Sequence, residues 1–369
     1  MTITTQAAVV ESGGAPFTLV DVELDEPRAD EVLVRVTAAG LCHTDLGVAS
    51  GGLPFPLPGV LGHEGAGVVE RVGSAVTTVA PGDHVLLSFT SCGACRNCRG
   101  GHPAYCATWL PDNLIGGARR DGSASISRSG EPIGSHFFGQ SSFARHAVAD
   151  ERSVVKVDPG SPLETLAPLG CGVQTGVGAV WNVLEPAPGS TVVVAGAGAV
   201  GLSSVMAAAL TPALRIVAVD VVPHRLDLAR KLGATHVVDA SQEDFAERIT
   251  EITGGAGCDG VIETTGNVTV LRRAVDCLAA RGTAVVVGAP PFGTEVGLDV
   301  NWMLGGKTVT GITLGDSETQ TFIPLLAAMV ADGRLPVGEL VTTYDFADIQ
   351  QAAEDVRSGA TIKPVLTFG

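Results

Sequence analysis

Residues 191–220 carry the pattern that most narrows what this chain can fold into. A strand-like run, TVVVA, leads into Gly196, Gly198 and Gly201 in G-x-G-x-x-G spacing. An Ala- and Leu-rich helical stretch follows, and a second strand, RIVAVD, ends on Asp220. Strand, tight turn and helix in that order, with an acid 19 positions past the last glycine, predict a βαβ unit with a dinucleotide at its turn. Gly196 would make the turn, Gly198 would admit the pyrophosphate, and Gly201 would let helix and strand pack closely. The helix N-terminus adds N–H donors and a partial positive charge for phosphates. Asp220 can accept both ribose hydroxyls and would repel a 2′-phosphate, so NAD is expected in preference to NADP. Arg225 works against that preference, because an arginine there can serve a 2′-phosphate.

The rest of the chain organises around this unit. Beyond Thr191, the strands HVVD, CDGVIE, TAVVVGA and TVTGIT join TVVVA and RIVAVD, with helical spacers between them. Six strands with right-handed crossovers make a doubly wound, open parallel α/β sheet covered on both faces. Up to about residue 155, short apolar strands alternate with Gly, Pro and Asp turns, as in EVLVRVTAAG and VAPGDHVLL, which favours a mainly antiparallel β domain. The expected division is residues 1–172 for that domain, 173–313 for the dinucleotide-binding domain, and 314–369 returning to the first. A length of 369 residues suits two domains. A formal net charge of −16 argues against a nucleic-acid or anionic-membrane partner. Residues 191–211 are uncharged and long enough to span a bilayer, but their strand–glycine–helix order reads as a soluble nucleotide-binding unit. The opening residues lack a basic stretch followed by an apolar core, so a cytoplasmic protein without a signal peptide is expected.

Four of the eight cysteines fall in one loop, Cys92, Cys95, Cys98 and Cys106, spaced C-x2-C-x2-C-x7-C. A cytoplasmic chain disfavours disulfides. An iron–sulfur centre also uses C-x2-C steps, but it usually closes on a distant cysteine or on C-x3-C-P. Unrelated free thiols are the remaining alternative. Four thiolates around one tetrahedral zinc ion are the simplest reading, and such a closed site pins a loop without binding substrate. Elsewhere Cys42 lies in GLCHTDL, His63 and Glu64 in LGHEGAG, and Cys171 in PLGCGVQTG. Taken singly, His63 is as readily a structural histidine, and Cys171 an ordinary buried cysteine. Cys258 and Cys277 receive no function.

Gly62 to Val76 reads G-H-E-x2-G-x5-G-x2-V, which resembles the signature of zinc-dependent medium-chain alcohol dehydrogenases. GLCHTDL, the four-cysteine loop, PLGCGVQTG, GAGAVG and VVGAPP follow in that family's order, so the resemblance covers the whole chain. GQSSFA, GAPP and the ending KPVL are most similar to the bacterial aryl-alcohol (benzyl-alcohol) dehydrogenases. The resemblance implies a Rossmann domain joined to a GroES-like catalytic domain. It implies Cys42, His63 and Cys171 as ligands of a catalytic zinc with a fourth position open. With the four-cysteine site, that makes two zinc ions per chain. Alcohol dehydrogenase is a standard example of a catalytic site with two cysteines and one histidine. Two thiolates and a neutral imidazole balance the 2+ charge and leave a Lewis acid able to acidify an alcohol. Ligands from three remote segments are expected at a domain junction, where a substrate cleft can form.

The same resemblance gives Asp45 a hydrogen bond to His63 and Glu64 a place behind the metal as a transient ligand, although Glu64 serves equally as a partner for a nearby cation. It sets His43 and Lys363 at pyrophosphate-binding positions, where composition alone suggests solvated charges. Thr175 and Val200 flank the nicotinamide, Ala289 joins the cofactor site, and Arg225 takes a ribose contact. Thr44 would pass the alcohol proton outward, and Gly47 stands where relatives carry a further relay histidine. Phe89 and Trp109 are candidates for an aromatic substrate pocket, or else ordinary core residues. The expected reaction is reversible oxidation of primary benzyl-type or allylic alcohols by NAD. Terpenoid or aliphatic alcohols, or a thiol–formaldehyde adduct, are the enzymatic alternatives, and a non-catalytic zinc-stabilised scaffold is the other class. A homo-oligomer, dimer or tetramer, is expected from the exposed edge of the parallel sheet.

Overall fold

The structure is a computed structural model that describes residues 2–369. The chain forms two compact units. One comprises the residues up to Cys171 together with Glu318–Gly369, and the other comprises Gly172–Ser317.

The first unit holds two sheets. In the larger, Glu31–Gly40 is the organising strand. Along one edge it pairs antiparallel with Glu64–Val72, and along the other with His146–Asp150 at its start and Lys363–Thr367 at its end. Its sequence, EVLVRVTAAG, explains the central place: β-branched residues and small residues suit a strand buried on both faces. The register sets Gly40 opposite Glu64 on one side and Val365 on the other. A Cβ at Gly40 would collide with the Glu64 carboxylate, so glycine lets that side chain cross the strand. The smaller sheet is built on the hairpin of Thr2–Val10 with Phe17–Asp25.

The second unit is the doubly wound sheet. Its six strands, Thr191–Ala195, Arg215–Asp220, His236–Asp239, Cys258–Glu263, Leu278–Val286 and Thr308–Gly311, are all parallel and lie in the order third, second, first, fourth, fifth, sixth. The order reverses beside Thr191–Ala195, which places the Gly196 turn at the switch point where open α/β sheets take ligands. This is the Rossmann arrangement expected from strand and helix alternation. Cys258 and Cys277 are buried in its core. Among the described residues, no helix is long and apolar enough to cross a membrane.

Candidate functional site

Three short local structures deliver the candidate ligands. Cys42 is the extended N-cap of the helix His43–Ala49, with φ −120° and ψ 160°. Asp45, in the first turn, accepts the Cys42 backbone N–H through Oδ2 at 2.9 Å, as an N3 acid does in a capping box. Its Oδ1 accepts the Gly62 N–H at 3.0 Å and lies 3.0 Å from His63 Nδ1. One carboxylate thus ties two ligand segments together. Gly62 has φ +93°, and a Cβ there would come within 2.5 Å of the Phe143 nitrogen, so the residue before His63 must be glycine. Cys171 ends the turn Ala167–Gly170, which Ser88 anchors by donating its hydroxyl to the Gly170 carbonyl at 2.6 Å.

One ligand atom each from Cys42, His63, Glu64 and Cys171 can be chosen so that all lie within 4.8 Å of one another. Around tetrahedral zinc such donors stand roughly 3.5–3.8 Å apart. With Nδ1 beside Asp45, His63 offers Nε2, a buried nitrogen with no hydrogen-bond partner. An orphaned buried imidazole nitrogen among thiols is what a metal would satisfy, so the set fits zinc. The groups lie close enough to set one another's charge. A hydrogen bond from Cys171, together with the positive charges of Lys363 and His63, holds the Cys42 thiol well below its ordinary range despite burial. The same bond and burial push Cys171 well above it. Burial works against charge on His63, but Asp45 and Cys42 outweigh it and raise the imidazole to about 10.

Glu64 is fully buried, and both its oxygens lie 2.9 Å from Lys363 Nζ, which also donates to the Leu41 carbonyl. Lys363 is therefore a buried ion-pair partner behind the cysteines rather than a solvated charge. Burial opposes its charge, but Glu64 and Cys42 hold its pKa above the ordinary lysine value. His43 is exposed. Thr44 Oγ1 stands 3.9 Å from Cys42 Sγ. Gly47 packs under Leu53, where a Cβ would sit 2.9 Å from Leu53 Cδ1. Trp109 meets the ring of Phe138, whereas Phe89 is almost fully buried and borders a different cavity of about 230 Å³ with Thr77, Thr78, Pro103 and Arg152.

The residues around His63 that sequence reasoning missed belong to the turn 136–141. Phe138 stacks on the imidazole with centroids 4.4 Å apart, and Phe137 meets it edge-on at 5.4 Å. Gln140 donates to the His63 carbonyl at 3.0 Å and accepts the Gly65 N–H at 3.1 Å. No spacing rule marks these residues in the sequence.

The four cysteines of the loop also converge. Cys98 Sγ lies 3.9 Å from Cys92 Sγ and 3.5 Å from Cys95 Sγ, and Cys106 Sγ accepts the Cys92 N–H at 3.2 Å. Backbone N–H groups of Ala107 and Cys98 bring the Cys95 thiol down to about 6. Thiolate character and these sulfur spacings suit a tetrahedral ion.

In the second unit the three glycines differ in what surrounds them. Gly196 has φ +98°, and a Cβ on Gly201 would strike the Gly196 carbonyl. A Cβ on Gly198, the N-cap of helix Ala199–Ala209, would meet nothing within 4 Å, which leaves the backbone open to a phosphate. Asp220 accepts the Ala197 N–H through Oδ2 at 2.6 Å and those of Val221 and Val222 through Oδ1 at 2.8 and 2.9 Å. Arg225 Nε is buried without a partner, Thr175 is buried, and Ala289 is exposed. Thr264, which donates to the Ala195 carbonyl at 2.9 Å beneath Gly196, was not anticipated.

Residues 28–159 match the family described as an alcohol dehydrogenase GroES-like domain, and residues 199–329 match the zinc-binding dehydrogenase family. A geraniol dehydrogenase from Castellaniella defragrans is 44% identical over 368 residues, covering 99% of this chain and 98% of the relative. The crystal structure of an alcohol dehydrogenase zinc-binding domain protein from Burkholderia ambifaria is 51% identical, with a TM-score of 0.97 over the whole of both chains. That of benzyl alcohol dehydrogenase from Acinetobacter calcoaceticus is 44% identical, with a TM-score of 0.96 and the same full coverage.

Proposed function

Because the chain belongs to the zinc-dependent medium-chain alcohol dehydrogenases, we propose that it oxidises primary benzyl-type and allylic alcohols to aldehydes with NAD. The observation that carries the reading is the orphaned His63 Nε2 among the Cys42 and Cys171 sulfurs, beneath the aromatic wall of Phe137 and Phe138. Relatives that act on geraniol and on benzyl alcohol support an activated primary alcohol, with the carbinol carbon next to a π system.

Cys42, His63 and Cys171 would hold the reactive zinc, and Cys92, Cys95, Cys98 and Cys106 a second, structural one. Bound zinc supplies a Lewis acid that acidifies the alcohol, and NAD supplies the hydride acceptor. Asp45 keeps His63 in the tautomer that leaves Nε2 free for metal. Lys363 neutralises Glu64 behind the sulfurs. Thr44 Oγ1 takes the substrate's hydroxyl proton and passes it outward, and Gly47 offers no side chain to continue the relay. Phe137 and Phe138 exclude water from the imidazole side. Gly196, Gly198 and Gly201 cradle the pyrophosphate, and Asp220 takes the adenosine ribose in place of a 2′-phosphate. Exposed Val300, Trp302 and Leu304, close in sequence to the edge strand Thr308–Gly311, support a homo-oligomer.

The test is a steady-state comparison with NAD of benzyl alcohol, geraniol, hexanol and the glutathione adduct of formaldehyde. Benzyl alcohol and geraniol are expected to exceed hexanol in kcat/KM by roughly tenfold or more, the scale on which an apolar pocket discriminates. A preference for hexanol or for the glutathione adduct would overturn the substrate class and leave the alcohol dehydrogenase assignment standing.

A further inference from the structure

We propose that the turn at residues 136–141 positions His63, and that Phe138 couples this histidine to the four-cysteine loop. The inference rests on reading Cys42, His63 and Cys171 as metal ligands.

His63 is gripped at its backbone and at its ring. Gln140 holds the backbone through the His63 carbonyl and the Gly65 N–H, and its other amide hydrogen reaches the Ser88 carbonyl at 2.9 Å. Asp45 holds one ring nitrogen, but a single hydrogen bond leaves an imidazole free to swing about it. Phe138 removes that swing, because its ring lies 25° from parallel at 4.4 Å. Phe137 closes the side at 82°.

The turn that presents Phe138 is strained. His136, Phe138 and Ser141 have φ of 59°, 52° and 53°, a left-handed conformation that bulky side chains avoid. Such residues persist where their surroundings over-determine them, and they concentrate at functional sites. Here Ser141 Oγ accepts the Phe137 N–H at 3.0 Å and donates to the Val60 carbonyl at 2.7 Å. Gly139 is pressed on Thr90, so that a Cβ would come 2.9 Å from the Thr90 Cβ.

Trp109 closes the chain of contacts. Its ring meets Phe138 edge-on, with centroids 5.7 Å apart and planes at 88°. Its backbone N–H donates to the Cys106 carbonyl at 2.9 Å, and its backbone carbonyl accepts from Asn113 Nδ2 at 2.9 Å. Asn113 exchanges two further hydrogen bonds with Thr90, which precedes Cys92. The Trp109 backbone is therefore placed by how the cysteine loop folds, and the indole is carried with it against Phe138. Through it, metal in the loop steadies Phe138 and then His63. Trp109 and Phe138 are positioning residues for the reactive metal, acting through its histidine ligand.

The test is metal release from the purified full-length protein to a chromogenic pyridylazo chelator, with visible absorption of cobalt-exchanged samples. Phe138→Gly deletes the ring and still suits the left-handed backbone, so the turn survives. Release of the metal held by Cys42, His63 and Cys171 is expected to quicken by about tenfold, the scale seen when groups supporting a metal ligand are removed. Its cobalt bands should shift, while release from the four-cysteine loop stays unchanged. Phe138→Tyr should restore both readouts, and Trp109→Ala should quicken release by a smaller factor. If Phe138→Gly does not accumulate as folded protein, Trp109→Ala and its rescue by Trp109→Phe carry the same prediction. Wild-type release rates and bands in the ring-deleted variants overturn the inference alone. A wild-type protein that holds metal only in the cysteine loop overturns the ligand reading, and the inference with it.

Discussion

Asp45 does more with one carboxylate than any other side chain near the candidate metal. It joins the Cys42 N–H, the Gly62 N–H and His63 Nδ1, and so fixes the separation of two ligand segments. Asp45→Asn cannot reproduce this, because its amide nitrogen would face either a backbone N–H or the imidazole N–H. The variant is expected to bind zinc at this set about 10–100-fold more weakly in competition with a chelator, with the four-cysteine loop unaffected. For Thr44, the proposed proton relay resides in the hydroxyl. Thr44→Ala should lose several orders of magnitude in kcat, and Thr44→Ser should keep most of it; normal turnover in Thr44→Ala would remove Thr44 from the proton path. The contact of Asp45 with His63 was legible in GLCHTDL through the family resemblance, and the relay that the resemblance assigns to Thr44 is what these variants measure. Phe138 and Gln140 were not legible: left-handed backbone at Phe138 leaves no compositional mark, GQSSFA gives Gln140 no partner, and His63, which both touch, is more than 70 residues away in sequence.

At the scale of elements, the register of the central strand decides what stands behind the sulfurs. Gly40 leaves room for the Glu64 carboxylate to reach Lys363 on the neighbouring strand Lys363–Thr367. Gly40→Ala should lose about 1–3 kcal/mol in denaturant unfolding, the usual cost of overpacking a core. At the start of the same strand, burial opposes charge on Glu31. Hydrogen bonds from His136, Arg119 and the Arg28 N–H prevail and bring its pKa down to about 2, against an ordinary 4.5. A depressed carboxylate contributes stability that is complete above the unfolded value and is lost as pH falls through the folded one. Glu31→Gln should therefore be less stable than wild type at neutral pH, and the gap in melting temperature should close as pH falls from 4.5 toward 2. The strands of both units were readable from β-branched runs between turn residues, and the six-strand parallel sheet followed from their alternation with helical spacers. The buried environment of Lys363 was not readable. KPVL gives no sign that the last strand lies inside a sheet, between Glu31–Gly40 on one side and Val341–Asp345 on the other.

For the whole molecule, one unit carries two sulfur-rich clusters and the other a glycine turn at the switch point of a parallel sheet. The proposed preference for NAD rests on Asp220. A 2′-phosphate beside a carboxylate costs several kcal/mol, so kcat/KM with NAD should exceed that with NADP by about a hundredfold. Asp220→Ser should narrow the ratio, and equal use of both cofactors by the wild type would contradict the assignment. The proposed activity depends on a metal held by two sulfurs and an imidazole from remote parts of the chain. The most direct measurement is zinc per chain in the purified wild type and in Cys171→Ala, read beside alcohol oxidation. Two zinc ions falling to one, with oxidation lost and the fold retained, is the predicted result. A single zinc ion in the active wild type, unchanged in Cys171→Ala, would contradict it.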